Sequence, residues 1–219
     1  LEFSFPSGSE LHPNNLLGEQ GGSRGSGQTS PDVALEVVTD KGKGLVLIES
    51  KYTEKSFYPC SARRKTDKGE RTGNPDPLRC VQPANSIDHE SICHQSVWGR
   101  KYWDHIELSS YGKQKLKRCP AATSGYQLFR QQALANGILK NSDYDLVASC
   151  VAFDSRNDKL TSSLNRTGID LQTEWGKLFD DEVIFSTWTH QEWVKHVKQH
   201  QKNGQFDDWL KYVKERYGY

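Results

Sequence analysis

The run Leu45-Val46-Leu47-Ile48-Glu49-Ser50-Lys51 constrains the fold more than any other segment, because it is apolar and then abruptly ionic. A short apolar run of this kind suits a strand with both faces covered. The run before it, Val33-Ala34-Leu35-Glu36-Val37-Val38, is also β-rich, and Thr39-Asp40-Lys41-Gly42-Lys43-Gly44 between them is turn-like, so the pair reads as a hairpin. Side chains on a strand alternate between faces, which puts Glu49 and Lys51 on the same side. A carboxylate and an ammonium ending a buried strand are costly unless something uses them. Asp32 enters the neighbouring strand after Pro31 and can converge on the same point. Two carboxylates and a lysine around one point make a candidate site for divalent-metal hydrolysis.

Pro31-Asp32 followed across a hairpin by Glu49-Ser50-Lys51 resembles the signature of the PD-(D/E)XK, or restriction-endonuclease-like, nuclease superfamily. The resemblance implies an α/β (α+β) fold whose central mixed β-sheet is flanked by helices. It implies a nuclease that hydrolyses phosphodiester bonds in DNA with Mg²⁺ or Mn²⁺, serves restriction or defence, and often works as a homodimer. Asp32 and Glu49 would be the metal ligands, joined by the Ser50 carbonyl. Lys51 would orient the attacking water or stabilise developing charge, since two adjacent carboxylates raise a lysine pKa and disfavour a general base. A glutamine on the helix after the Glu-x-Lys strand supports the site in many members, and Gln127 or Gln131 fits that role, with Gln127 preferred.

Further acids are candidates on position alone. Glu19 could add a metal ligand from the N-terminal region, and Glu36 lies on the Asp32 face of its strand. Glu54 would fall on the opposite face if the strand continued, and is set aside. Residues 1–31 are rich in Gly, Ser, Pro and Asn. Gly21-Gly22-Ser23-Arg24-Gly25-Ser26-Gly27 reads as an ordinary loop or as a phosphate-contacting one with Arg24 as its charge. It has the letters of a serine-hydrolase elbow but neither the strand before nor the helix after that such an elbow needs.

Residues 53–119 look like a loop-rich insertion, with Arg63, Arg64 and Lys65 in a net-basic run that is either solvated surface or a nucleic-acid contact. Loops this long are often functional or tied down. Cys60, Cys80, Cys93 and Cys119 lie in polar surroundings, unlike Cys150 within an apolar run, and four thiolates could form a structural Zn²⁺ site, with His89, His94 or His105 as substitutes. No Cys-x-x-Cys spacing is present, so unligated thiols remain open, as does an iron–sulfur cluster of the kind that the resemblance to RecB-like nucleases implies. Trp98-Gly99-Arg100-Lys101-Tyr102-Trp103 either packs a loop onto the core or stacks on nucleic acid.

Downstream, a helix is expected over 120–137, started near Pro120 and stopped at Gly137, then a buried strand over 144–153. A helix over 170–179, a strand over 182–186, a helix near 191–201 opened by the capping box Thr189-His190-Gln191-Glu192, and a last helix over 207–217 complete the order. The whole chain of 219 residues is expected to form one nuclease-like domain with a helical C-terminal extension from residue 189.

Formal charge is +1, so any DNA contact must come from local patches. No run approaches the roughly 20 apolar residues of a membrane span, and no signal-peptide pattern opens the chain, so a cytoplasmic setting with reduced cysteines is expected. Met is absent even at position 1, which points to a fragment or processed product with a possible domain upstream. Two rival readings stay open: a nuclease-like module that binds nucleic acid without hydrolysis, and a zinc-stabilised interaction domain whose motif match is accidental.

Overall fold

The computed structural model describes residues 3–24, 26–63, 73–87 and 92–219. Its centre is a sheet of four strands: β1 (Val33–Thr39), β2 (Gly42–Lys51), β3 (Leu146–Phe153) and β4 (Ile184–Thr189), in spatial order β1-β2-β3-β4. β1 and β2 pair antiparallel, while β2 with β3 and β3 with β4 pair parallel, so the sheet is mixed. Helices cover it, which makes the chain α/β. Among the described residues no helix is long and apolar enough to cross a membrane.

The hairpin turn is tight, with Thr39 directly opposite Gly42. Gly42 adopts φ 117°, and a Cβ there would fall 2.1 Å from Oδ2 of Asp145, whose carboxylate accepts from the Lys43 amide at 2.9 Å. That clamp fixes the start of β2 to the start of β3, and so fixes the register that carries Glu49 and Lys51 to the far end of the strand.

Three long helices are α1 (Tyr126–Asn141), α2 (His190–His200) and α3 (Asp207–Tyr217). Leu45 and Leu47 of β2 belong to the main core under α1, whereas Ile48, Ala148, Cys150 and Ala152 form a smaller cluster with Trp188 on the other face. Glu49 and Lys51 continue the Leu45–Leu47 face, towards α1. Gln131 of α1 is buried and donates through Nε2 to Ser149 Oγ at 3.0 Å, Cys150 O at 3.1 Å and Leu47 O at 3.3 Å, pinning the helix to the sheet. The Thr189 capping box at the head of α2 is present, with both reciprocal bonds.

Two helical expectations need correction. α1 begins at Tyr126 rather than near Pro120 and runs through Gly137 to Asn141. Gly137 is inside the helix because another segment sits against it: a Cβ there would stand 2.9 Å from Leu16 Cδ2 and 3.2 Å from His105 Nδ1. Gly137→Ala is therefore expected to lower stability by about 1 kcal/mol, because overpacking of about 1–3 kcal/mol outweighs a propensity gain of about 1 kcal/mol. A urea melt checks this; a rise in the midpoint would mean that Leu16 gives way. Residues 170–179 form turns and a 3₁₀ turn at Trp175–Lys177 instead of a helix. Asp170 Oδ1 accepts from the amides of Gln172 and Thr173, and Glu174 Oε2 accepts from the Asp170 amide at 2.7 Å, so side chains capture the backbone groups a helix would use.

Candidate active site

β2 ends at the site. The register pairs Val33 with Ile48, so Asp32, one residue before β1, stands opposite Glu49. Asp32 Oδ2 accepts from the Ser50 amide at 2.6 Å, which holds the carboxylate against the end of β2. Glu49 and Lys51 are 7% and 3% exposed. Lys51 Nζ donates to Glu49 Oε1 at 2.6 Å, and Gln127 Nε2 donates to the same oxygen at 3.0 Å. Gln127 comes from the first turn of α1, whose N-terminal end carries partial positive charge and favours the carboxylate there. Asp32, Glu49, Ser50, Lys51 and Gln127 are thus brought together by the hairpin and one helix end.

Glu54 also reaches this place. The strand ends at Lys51, and Glu54 turns back, accepting from the Tyr52 and Thr53 amides at 2.9 and 3.0 Å, with Oε1 4.0 Å from Lys51 Nζ. Burial works to raise the Glu54 pKa, but backbone hydrogen bonds and the Lys51 charge outweigh it and the net shift is downward. The sequence carried no signal for this beyond the end of the apolar run.

Glu19 is fully buried and its oxygens are engaged. Oε2 accepts from the Thr29 amide at 2.5 Å; Oε1 accepts from Thr29 Oγ1 at 2.6 Å, Tyr102 OH at 2.8 Å and Arg130 Nε at 3.0 Å. It ties the segment leading to Asp32 onto α1. Thr29 and Arg130 line, with Glu49 and Gln127, a polar cleft of about 120 Å³. Arg130 Nη2 is buried there without a partner. Glu36 is elsewhere: Tyr144 OH donates to it at 2.5 Å and Lys43 lies 3.3 Å away, near the hairpin turn. Arg24 is exposed on the Ser23–Ser26 turn. Arg63 donates to the Ala122 carbonyl at 3.3 Å, while Arg64, Lys65 and His89 lie outside the described residues.

The donors around Asp32 and Glu49 fit a hard divalent cation: carboxylate and carbonyl oxygens are what Mg²⁺ and Mn²⁺ take. Gln127 Oε1 is buried without a hydrogen-bond partner, an orphan beside Glu49 that a cation's hydration shell would satisfy. Among the described residues no group of three or more His, Cys, Asp and Glu side chains is arranged as a metal site. A cation here would therefore draw on main-chain oxygen and water as well as the two acids.

The four cysteines of the loop-rich region also converge. Cys119 donates its amide to the Cys80 carbonyl at 3.2 Å, Cys60 donates its amide to the Ala121 carbonyl at 3.0 Å, and Gln95, two residues after Cys93, donates to Cys60 Sγ at 3.2 Å. None is in a disulfide. Burial pushes the Cys60 thiol up to about 11 against the Gln95 hydrogen bond, with Cys93 and Cys80 pushing the same way. Burial, then Cys93, Cys60 and Cys80, raise Cys119 likewise.

A family model described as Restriction Endonuclease associating with ARP matches residues 14–218. The chain belongs to that family. Membership of this restriction-endonuclease family gives the chain a nuclease-related role, and its four-stranded mixed sheet with flanking helices is consistent with the restriction-endonuclease-like fold. Comparison with curated proteins and with solved structures finds no match.

Proposed function

We propose that the chain is a metal-dependent endonuclease that hydrolyses phosphodiester bonds in DNA, in a restriction or defence role. The observation that carries the reading is the meeting of Asp32, Glu49, Lys51 and Gln127 at the end of β2. Asp32, Glu49 and the Ser50 carbonyl would hold Mg²⁺ or Mn²⁺, which supplies charge for the phosphate and lowers the pKa of a bound water. Lys51 would orient the attacking water and offset the charge that builds on the phosphate. Gln127 and Lys51 together fix the Glu49 carboxylate in position. Family membership supports the nuclease class. The family description names association with ARP, so a protein partner beside DNA belongs to the same reading, while a homodimer is carried over from the resemblance alone.

Plasmid and linear DNA incubated with Mg²⁺, Mn²⁺ or EDTA provide the test, with Asp32→Ala alongside. Cutting that needs metal and falls at least about 100-fold in Asp32→Ala is the expected result. Cutting that persists in EDTA, or in the variant, would overturn the reading. DNA binding without cutting under any metal would favour a module that only binds.

A further inference from the structure

The four cysteines of the loop-rich region come from four separate segments and lie in one place. The Cys119 amide reaches the Cys80 carbonyl, the Cys60 amide reaches the Ala121 carbonyl, and the short helix that Cys93 opens presents Gln95 to the Cys60 sulfur. Cys60, Cys80 and Cys119 are buried within the main core cluster, and Cys93 is half-buried. Among the described residues this region has only short helices of three to six residues and no strand, so hydrogen bonds of regular structure contribute little to holding it. Cysteines serving merely as small apolar side chains have no reason to gather from four loops.

A second, independent set of observations points to negative charge at this place. Nε of Arg63 and Nε of Arg118 are both buried without a partner. Arg63 and Arg79 stand close enough to Cys80 to act on it electrostatically, and Arg118 directly precedes Cys119. His94, next to Cys93, is a buried residue and both of its ring nitrogens lack hydrogen-bond partners. A guanidinium donor left unsatisfied beside neutral thiols, as Arg63 Nε is beside Cys80, is costly. A tetrathiolate zinc centre carries net negative charge and would remove that cost.

We infer that Cys60, Cys80, Cys93 and Cys119 form a structural Zn²⁺ site that buttresses the active site. On binding, each thiol releases its proton to solvent and its sulfur forms a bond to zinc, with no oxidant or reductant involved. Among the described residues the thiols are not already arranged as a metal site, so binding includes rotation of their side chains. The buttressing runs along the backbone. Gln127 donates its amide to the Phe57 carbonyl at 2.9 Å, Tyr126 donates to the Tyr58 carbonyl at 3.0 Å, and Phe57 donates to the Ser124 carbonyl at 2.8 Å. The Cys60 segment therefore positions the first turn of α1, and with it the Gln127 side chain on Glu49. This role rests on the nuclease reading, but the site itself does not.

The test uses the full chain, purified under reducing conditions from zinc-supplemented medium without chelator or metal-affinity tag. Metal analysis is expected to find about one zinc per chain. Co²⁺ exchanged into the protein should give the sulfur-to-metal charge-transfer band and the visible bands of tetrahedral thiolate coordination. Cys80→Ser and Cys119→Ser should lose zinc, whereas Cys150→Ala, on β3, should keep it. Should the serine variants fail to fold, the cobalt spectrum of the wild type still decides. Folded wild type with under about a tenth of an equivalent of zinc and no thiolate band on cobalt titration would overturn the proposal. So would zinc retained in both serine variants. None of these readouts depends on DNA cleavage, so failure of the zinc site and failure of the nuclease reading are separable.

Discussion

Lys51→Ala is expected to lose cleavage by at least about 100-fold and to become less stable, and the two losses should respond differently to Mg²⁺. Lys51 is 3% exposed and its ammonium lies 2.6 Å from Glu49, itself 7% exposed. Removing one member of a buried ion pair leaves an uncompensated charge, typically costing about 3–5 kcal/mol. Gln127 still donates to Glu49, which places this case at the lower end. A divalent cation bound at Asp32 and Glu49 would supply the missing positive charge, so Mg²⁺ should stabilise Lys51→Ala more than wild type. Thermal melts of both proteins with and without Mg²⁺ measure that difference, beside cleavage assays. If Mg²⁺ leaves the deficit unchanged, Glu49 does not see the metal. If the variant melts lower but cuts at the wild-type rate, Lys51 belongs to the fold and not to the chemistry.

The convergence of the candidate residues is legible where chemistry and strand periodicity coincide. Apolar residues followed by Glu49-Ser50-Lys51 announce both a buried strand and its ionic end, and pairing within a hairpin is a local event, so Asp32 opposite Glu49 follows from short-range sequence. The capping box at Thr189 is equally local. What escaped depends on partners far along the chain. Gly137 looks like a helix stop until Leu16 and His105 are seen against it. Arg130 gives no sign in the sequence of the buried Glu19, 111 positions earlier, to which it donates. The stretch 170–179 has helical composition, but Asp170 and Glu174 side chains take the backbone donors first. Glu54 was missed for a simpler reason: strand periodicity says nothing once the strand has ended.

The same Glu19–Arg130 pair makes the second large prediction. Arg130→Ala is expected to destabilise the chain by about 3–5 kcal/mol, since Glu19 is fully buried and would lose its one cationic neighbour among its four hydrogen-bond donors. At about 2–4 °C per kcal/mol for a chain of this size, the melting temperature should fall on the order of 10 °C. Glu19→Gln discriminates the two possible jobs of this acid. As a strut, Glu19 holds Thr29 and Arg130 together. Its neutral analogue then weakens charge-assisted bonds to both, lowering the melting temperature while leaving Mg²⁺ affinity of the folded protein near wild type. As a metal ligand, the same change would weaken Mg²⁺ binding about tenfold or more with little effect on the apo fold. Calorimetric Mg²⁺ titration well below the melting temperature separates these outcomes. The geometry favours the strut, because neither Glu19 oxygen is left without a protein donor. Through Thr29 the strut sets where the chain turns into Pro31-Asp32, so its indirect effect should appear as slower cleavage with unchanged metal dependence.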